Sequence, residues 1–324
     1  MTSTITVIIP TFNRPKKLEN AINSVLVQTY KNFKILILDN STNNETELLI
    51  RNKYSNVFYH KHESNIGGVK NFEFGLKLVN SDFFCFLSDD DIYLPNFFQL
   101  AINSFVNHCD IGYFAGEVVY EDNDNNYIGQ SNKFLKPGYI SLIDGLSEII
   151  KNTNPPCWTG IIFKTDVLKI AGYIDLEVGG SFDYDFVNRV SAYFPFFVST
   201  EIVAKFNINP ESWGHSSNYN YIWPSWNKMI FNILNINTIE LNTKFKFYNY
   251  YNNYYKKKIF LYARQNIKNK EYISAEECAI ILKNYFNSYY HFFIIKFGIL
   301  IFKRSKLLLD IFFIYKKIKY KKYK

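Results

Sequence analysis

Residues 5–15 read Ile5-Thr6-Val7-Ile8-Ile9-Pro10-Thr11-Phe12-Asn13-Arg14-Pro15, and their pattern decides the class of fold. Five β-branched residues in a row, closed by a proline, spell a strand buried on both faces. Pro15 opens a helix, since a ring-fixed φ and a missing N–H suit the first helical position. Leu18, Ala21, Ile22, Val25 and Leu26 then recur at the spacing of one buried helical face. Working outward, the alternation repeats. Residues 34–38 form a second strand, a polar helix starts near Glu45, and residues 57–59 form a third strand. A helix from about Gly68 aligns Val69, Phe72, Leu76 and Val79, and residues 83–87 form a fourth strand. This β-α-β-α-β-α-β order predicts an α/β fold, a Rossmann-like, mostly parallel sheet with helices on both faces and right-handed crossovers.

Ligands of such sheets bind beyond the carboxyl ends of the strands. Three polar clusters stand there: Pro10-Thr11-Phe12-Asn13-Arg14, Asp39-Asn40-Ser41 and Ser88-Asp89-Asp90-Asp91. Neither GxGxxG nor GxxxxGK[ST] follows the first strand, which disfavours a dinucleotide fold and a P-loop NTPase. Three carboxylates at the exit of a buried strand repel one another and call for a cation. Oxygen-only ligands suit Mg²⁺ or Mn²⁺ shared with substrate phosphates, whereas a solvated acidic turn ahead of Pro95 is the plainer alternative. Past residue 95 the pattern is mixed. It gives a helix over about 95–106, a strand over about 112–120, a turn at 123–126 and a helix over about 142–151. A strand follows over 161–163, then a helix near Asp166 and a loop entering a helix at 182–186.

The chain has 324 residues, 48% hydrophobic and 20% charged, enough for a sizeable core. Its four cysteines stand singly, with no CxxC pair, which argues against a zinc ribbon or a disulfide scaffold and fits a reducing compartment. No secretory leader pattern opens the sequence, and the apolar stretch 292–302 is broken by Lys296, so no transmembrane helix is expected. Residues 1–240 hold 18 Lys+Arg against 25 Asp+Glu, whereas residues 241–324 hold 19 against 4. The expected organisation is an acidic globular body over 1–240 and a basic, aromatic helical region over 241–324. The helical region reads either as packing helices with solvated lysines or as a surface for anionic lipid. Nucleic acid ranks last as a partner, because neither an RNP-type motif nor a helix-turn-helix is present.

The stretch from Thr6 to Arg14, Ser24-Val25-Leu26-Val27-Gln28-Thr29-Tyr30, Ile37-Leu38-Asp39-Asn40-Ser41 and the stretch from Phe86 to Pro95 resemble, in order and spacing, the signatures of family 2 glycosyltransferases with the GT-A fold. The resemblance implies an inverting transferase that moves a sugar from a nucleotide-diphosphate donor, a UDP-sugar by preference, to an acceptor hydroxyl with Mn²⁺ or Mg²⁺. A growing surface glycan, lipid-linked or polymeric, is the implied acceptor, and the resemblance makes residues 1–240 the catalytic domain, with a nucleotide-binding half over about 1–95 and an acceptor half over about 96–240. The hexosyl or N-acetylhexosaminyl type is expected, at the inner face of the cytoplasmic membrane. By position, Pro10, Thr11 and Phe12 flank the base with Arg14 nearby, Asp39 accepts from a uracil-type imide, and Asp89 lies near the ribose. Asp90 is the DXD-type metal carboxylate with Asp91 beside it. Ser88 and Asp39-Asn40-Ser41-Thr42 depart from the commoner Asp-x-Asp-Asp and Asp-Asp-Gly-Ser.

Phe182-Asp183-Tyr184-Asp185 resembles the family's Glu-Asp-x-Asp segment, which makes Asp183 the catalytic base. Asp185 is placed beside the acceptor, or orients the helix by pairing with Arg189 at i+4. Trp158, Thr159 and Gly160 fall where the acceptor wall is expected, Trp158 serving either to stack on a sugar or to fill the core. Lys70 and Asn71 open a helix that can face the nucleotide. His215 is a candidate to complete the metal shell or contact the diphosphate, or is a surface-loop histidine. A catalytically inactive glycan- or nucleotide-sugar-binding protein of the same fold is the alternative.

Overall fold

The computed structural model describes residues 3–133, 135–152, 154–208 and 219–304. Strand β1 (Ile5–Thr11) is the hub, and its two faces enter two different cores. Ile5, Val7 and Ile9 pack with Leu18, Ala21, Ile22 and Val25 of α1 (Pro15–Leu26), as their helical spacing requires. Ile8 faces the other way, toward Leu38 of β2 (Phe33–Asp39) and Leu76 of α3 (Gly68–Lys77). Helix α2 (Glu45–Lys53) and strand β3 (Phe58–Lys61) lie between them in the chain, and β4 (Phe83–Phe86) closes the first half. The four strands pair in parallel in the order β3-β2-β1-β4, the parallel arrangement expected from the alternation.

The sheet then changes direction. Strand β9 (Ile161–Lys164) runs antiparallel between β4 and β6 (Tyr113–Glu121), so the ten-stranded sheet is mixed where a mostly parallel one was expected. Just before β9 the single-turn helix Trp158–Gly160 packs closely against β6. A Cβ on Gly160 would sit 2.5 Å from Val118 Cγ2 and 2.8 Å from Gly116 O, so only glycine allows this approach. Strand β10 (Phe196–Asn207) lies parallel to β6, and no period-two pattern announced it. Its apolar start, Phe196-Phe197-Val198, gives way to Ser199-Thr200-Glu201, where a shift in register breaks the alternation. β5 (Ile92–Tyr93) and β8 (Gly138–Ile140) pair antiparallel with β10, and β7 (Tyr127–Gln130) makes the expected hairpin with β6.

Helices α4 (Phe97–Asn107), α5 (Leu142–Asn152), α6 (Leu168–Ala171) and α7 (Phe182–Tyr193) complete this part, followed by α8 (Tyr219–Leu234). Of the described residues, 3–208 and 224–247 form one compact unit, and 219–223 and 248–304 a second. The second unit is helical, as the spacing of its aromatics predicted, and contains most of α9 (Leu241–Lys268) with α10 (Tyr272–Asn284) and α11 (Tyr289–Arg304). Tyr251, Tyr255, Ile259, Ala263, Cys278, Leu282 and Ile295 fill its interior, while Ile273, Tyr289, Phe293 and Phe297 are exposed. Among the described residues no helix is long and apolar enough to cross a membrane.

Candidate active site

The loops after β1 and β2 are stitched together. Asn13, held at a φ of 54°, accepts from Thr42 N (3.0 Å) and donates to Thr42 Oγ1 (3.1 Å), and its own N–H donates to Ser41 Oγ (2.8 Å). Asparagine tolerates the left-handed region when its side chain is bonded locally. The turn leaves the preceding Phe12 43% exposed, a ring face open to solvent beside the strand ends. Asp39 ends β2 fully buried, with Oδ1 accepting from Ser41 N (2.8 Å) and Oδ2 from the Tyr59 hydroxyl (2.6 Å). Tyr59 holds its proton far above the usual range, through burial and then through Asp39 itself. The two residues expected to open α3 toward the nucleotide differ sharply. Lys70 is exposed, but Asn71 is buried, donates to Leu38 O (3.0 Å) and meets His62 Nε2 (2.9 Å). Asn71 thus braces β2.

The three consecutive carboxylates go three ways. Asp89 accepts from Thr11 Oγ1 (2.8 Å) and the Phe12 N–H, with Arg14 Nη1 at 3.3 Å. Burial and the adjacent Asp90 push its carboxyl up to about 6 against those partners. Asp90 faces Arg14 Nη1 at 3.1 Å and Lys17 Nζ at 3.7 Å. Asp91 turns inward, where Oδ2 accepts from Thr159 Oγ1 (2.7 Å) and Oδ1 from Asn207 N (3.0 Å). Burial, and next Asp90, push its carboxyl up to about 8.

Among the described residues no three His, Cys, Asp or Glu side chains gather into a metal cage. A hard cation that shares its shell with substrate phosphates needs only one or two carboxylates, however. Asp90 meets that requirement, because its partners are the tips of two long cationic side chains that a stronger cation can replace. Asp91 does not fit as an equal partner, since both its oxygens are bound by the chain. His215 lies outside the described residues.

Where the acceptor wall was expected, Trp158, Thr159 and Gly160 are all buried. Trp158 stacks on Phe86 at 4.5 Å between ring centroids and meets Phe72, Phe163, Phe182 and Phe186 edge-on or tilted. It fills the core, the second of its two expected uses. Its cluster seats Phe182, and the next residue, Asp183, keeps part of its surface exposed at the first turn of α7. Asp183 Oδ1 accepts from Tyr184 N (2.9 Å), yet burial pushes the carboxyl up to about 6. Asp185 is fully buried and pairs with Arg189 Nε at 2.7 Å, the i+4 contact anticipated from sequence. The thiol of Cys157, raised to about 12 by burial and then by Asp91, also feels Asp183, so the two carboxylates share one neighbourhood.

The structure adds residues that the sequence reading passed over. Lys17 stands one helical turn from Arg14, a spacing that could have marked it. Tyr59, Asn207, Ser225 and Asn232 had no local signal, because each reaches its partner through the tertiary fold.

A family model described as glycosyl transferase family 2 matches residues 6–169, half of the chain. The chain belongs to that family. Strand ends of β1, β2 and β4 and the start of α7 thus form the candidate site of a family 2 member. A glycosyltransferase of Rickettsia conorii is 27% identical over 240 residues, covering 68% of this chain and 38% of that protein. Another from Rickettsia felis is also 27% identical over 38% of its length, so this chain spans well under half of either. The Escherichia coli UDP-Glc:alpha-D-GlcNAc-diphosphoundecaprenol beta-1,3-glucosyltransferase WfgD is 25% identical over 165 residues, 50% of this chain and 60% of that one. Among solved structures, S. aureus TarS 1-349 in complex with UDP-GlcNAc superposes with a TM-score of 0.63 at 18% identity, over 77% of this chain and 72% of TarS 1-349. At that identity the likeness speaks for the fold, and the GT-A-like architecture with its helical C-terminal region agrees with the expectation from sequence.

Proposed function

We propose that this family 2 member transfers a sugar, with inversion, from a UDP-sugar to a hydroxyl of a growing surface glycan. The observation that carries the reading is the meeting of the β1, β2 and β4 ends in one polar cluster, with Asp183 at a helix start on its acceptor side, inside the region the family model covers. UDP is favoured because TarS structures contain UDP and UDP-GlcNAc. The lipid-linked acceptor named for WfgD supports an acceptor of that class here.

Phe12 stacks on the base, while Asp39 shapes the base site by fixing the Ser41 N–H and the Tyr59 hydroxyl. Asp89 takes the ribose side, where Thr11 and Arg14 already set its oxygens. A divalent cation held by Asp90 would neutralise charge on the departing diphosphate. Asp91 keeps the floor in place through Thr159 and Asn207. Asp183 accepts the acceptor's hydroxyl proton as that oxygen bonds to the anomeric carbon, and the carbon–oxygen bond to the β-phosphate breaks with its electron pair leaving on the diphosphate. The exposed aromatics of the second unit, in a region of 19 Lys+Arg against 4 Asp+Glu, support residence at an anionic cytoplasmic leaflet, where a lipid-linked acceptor would lie.

Differential scanning fluorimetry with UDP, GDP, CDP and dTDP, with and without Mn²⁺, tests the donor assignment on wild type and Asp90→Ala. A metal-dependent shift with UDP, abolished in Asp90→Ala, is the expected result. A folded protein that responds to no nucleotide, or only to one other than UDP, overturns it.

A further inference from the structure

Asp183 owes its place to residues some forty to fifty positions further along the chain. The turn that opens α7 is fixed where Ser181 N donates to Ser225 Oγ at 2.8 Å, with both residues buried. On the other side of Asp183, Asn232 Nδ2 donates to Asp185 Oδ1 (2.9 Å) and to Asp175 Oδ2 (2.9 Å). Between these clamps, Asn188 Nδ2 reaches Met229 Sδ at 3.7 Å, and Lys228 pairs with Glu177 at 2.6 Å. Ser225, Lys228, Met229 and Asn232 follow one another at helical spacing on α8, so a single face of that helix grips α7 and the loop before it.

The two clamps bracket Asp183 two residues to either side. Apolar packing alone would hold α7 against the sheet, and Phe182, Phe186, Val187 and Val190 provide it. It would not fix the rotation and start of the first turn, which set the direction of Asp183 because its carboxylate leans on the Tyr184 N–H. Hydrogen bonds do so because they are directional. A buried carboxylate such as Asp185 also loses heavily if a donor is withdrawn, so Asn232 has a strong hold.

We infer that Ser225 and Asn232 are positioning residues for the catalytic base, α8 acting as a brace that aims Asp183 at the acceptor hydroxyl. The inference rests on the reading of Asp183 as that base. On α7 and its brace Asp185 pairs with Arg189 and Asp175 with Lys228, and the half-buried Cys157 thiol, pushed up to about 12, stays neutral; Asp91, pushed up to about 8, shares the neighbourhood of Asp183, so Asp183→Asn is needed to tell the two carboxyl titrations apart.

The test uses the full chain carrying Ser225→Ala, Asn232→Ala, and Ser225→Thr as the conservative rescue. Asn232 lines a cavity of about 310 Å³ with Arg189 and Asp175, so its truncation widens existing space. Expected are a fall in kcat of at least tenfold in both alanine variants with the KM for nucleotide sugar unchanged, and recovery in Ser225→Thr. The Asp183 carboxyl titration, followed by ¹³C NMR of aspartate-labelled protein and assigned with Asp183→Asn, should move to higher pH as its backbone donors loosen. A wild-type titration and kcat in both alanine variants overturn the inference. So does a loss of kcat that only tracks the unfolded fraction while the titration stays put. If Ser225→Ala fails to fold, Asn232→Gln, which keeps the amide on a longer arm, gives the same readouts. Should wild type transfer no sugar at all, the proposed function fails, while the NMR titration, which needs no turnover, still decides the role of the brace.

Discussion

Replacing Trp158 separates a core residue from a sugar platform. Its indole is 9% exposed and packed against five phenylalanines, one of them stacked at 4.5 Å. Truncating a buried Trp or Phe to alanine costs about 3–5 kcal/mol, through lost transfer energy and the cavity left behind. In a body of 150–250 residues each kcal/mol moves Tm by about 2–4 °C, so Trp158→Ala should lower the Tm of the first unit by about 6–20 °C. Trp158→Phe should lose less than half as much. It keeps a ring on Phe86, and the indole Nε1 that it removes is buried with no hydrogen-bond partner, so no bond is lost. Fluorimetric melts of the three proteins, with and without UDP, measure this. A Tm for Trp158→Ala within about 2 °C of wild type, joined to a raised acceptor KM, would refute the core assignment and restore the sugar-stacking role.

With its carboxyl pushed up to about 6, Asp183 is ionised and able to take a proton above that pH, and is protonated and inactive as a base below it. The kcat profile should therefore fall on its acid side near pH 6, and a flat profile down to pH 4.5 would exclude Asp183. Gly160→Ala drives a Cβ to 2.5 Å from Val118 and 2.8 Å from a backbone carbonyl. Overpacking of that kind costs about 1–3 kcal/mol, and the Tm should drop even though the change adds only one methyl. Tyr59→Phe withdraws the 2.6 Å donor from the buried Asp39. A buried acceptor left unsatisfied costs about 1–3 kcal/mol, so the variant should melt earlier and show a smaller UDP-induced shift; an unchanged melt would show that Asp39 needs no such partner.

The first half of the fold is legible because its signals are local. Five consecutive β-branched residues make β1, and Leu18, Ala21, Ile22 and Val25 return at helical spacing, so a parallel sheet follows from alternation alone. Beyond residue 110 the deciding forces are long-range. The turn into β9 rests on a glycine packed against β6, and β10 breaks its own alternation at a shift in register. Site residues divide in the same way. Thr11, Asp89 and Asp90 come together as strand ends must, and Asp185 meets Arg189 because i and i+4 face each other. What sequence cannot show is which way a side chain turns once there: Asp91, beside Asp90, points into the protein, and Asn71, beside Lys70, grips β2.

The bonds that secure Asp91 bear on the order in which the nascent chain acquires its site. Thr11 waits 78 residues for Asp89, Asp91 waits 68 for Thr159, and the last donor, the Asn207 N–H, arrives 116 residues after Asp91. A chain emerging from the ribosome can pair β1, β2 and β4 early, from contacts that close over shorter loops than the one from Asp91 to Asn207. It cannot bury the Asp91 carboxylate with both partners until β10 has been synthesised. Products that stop before Asn207 carry the nucleotide-side strands but lack one of the two bonds beneath them, so the site matures late, after most of the first unit has left the ribosome.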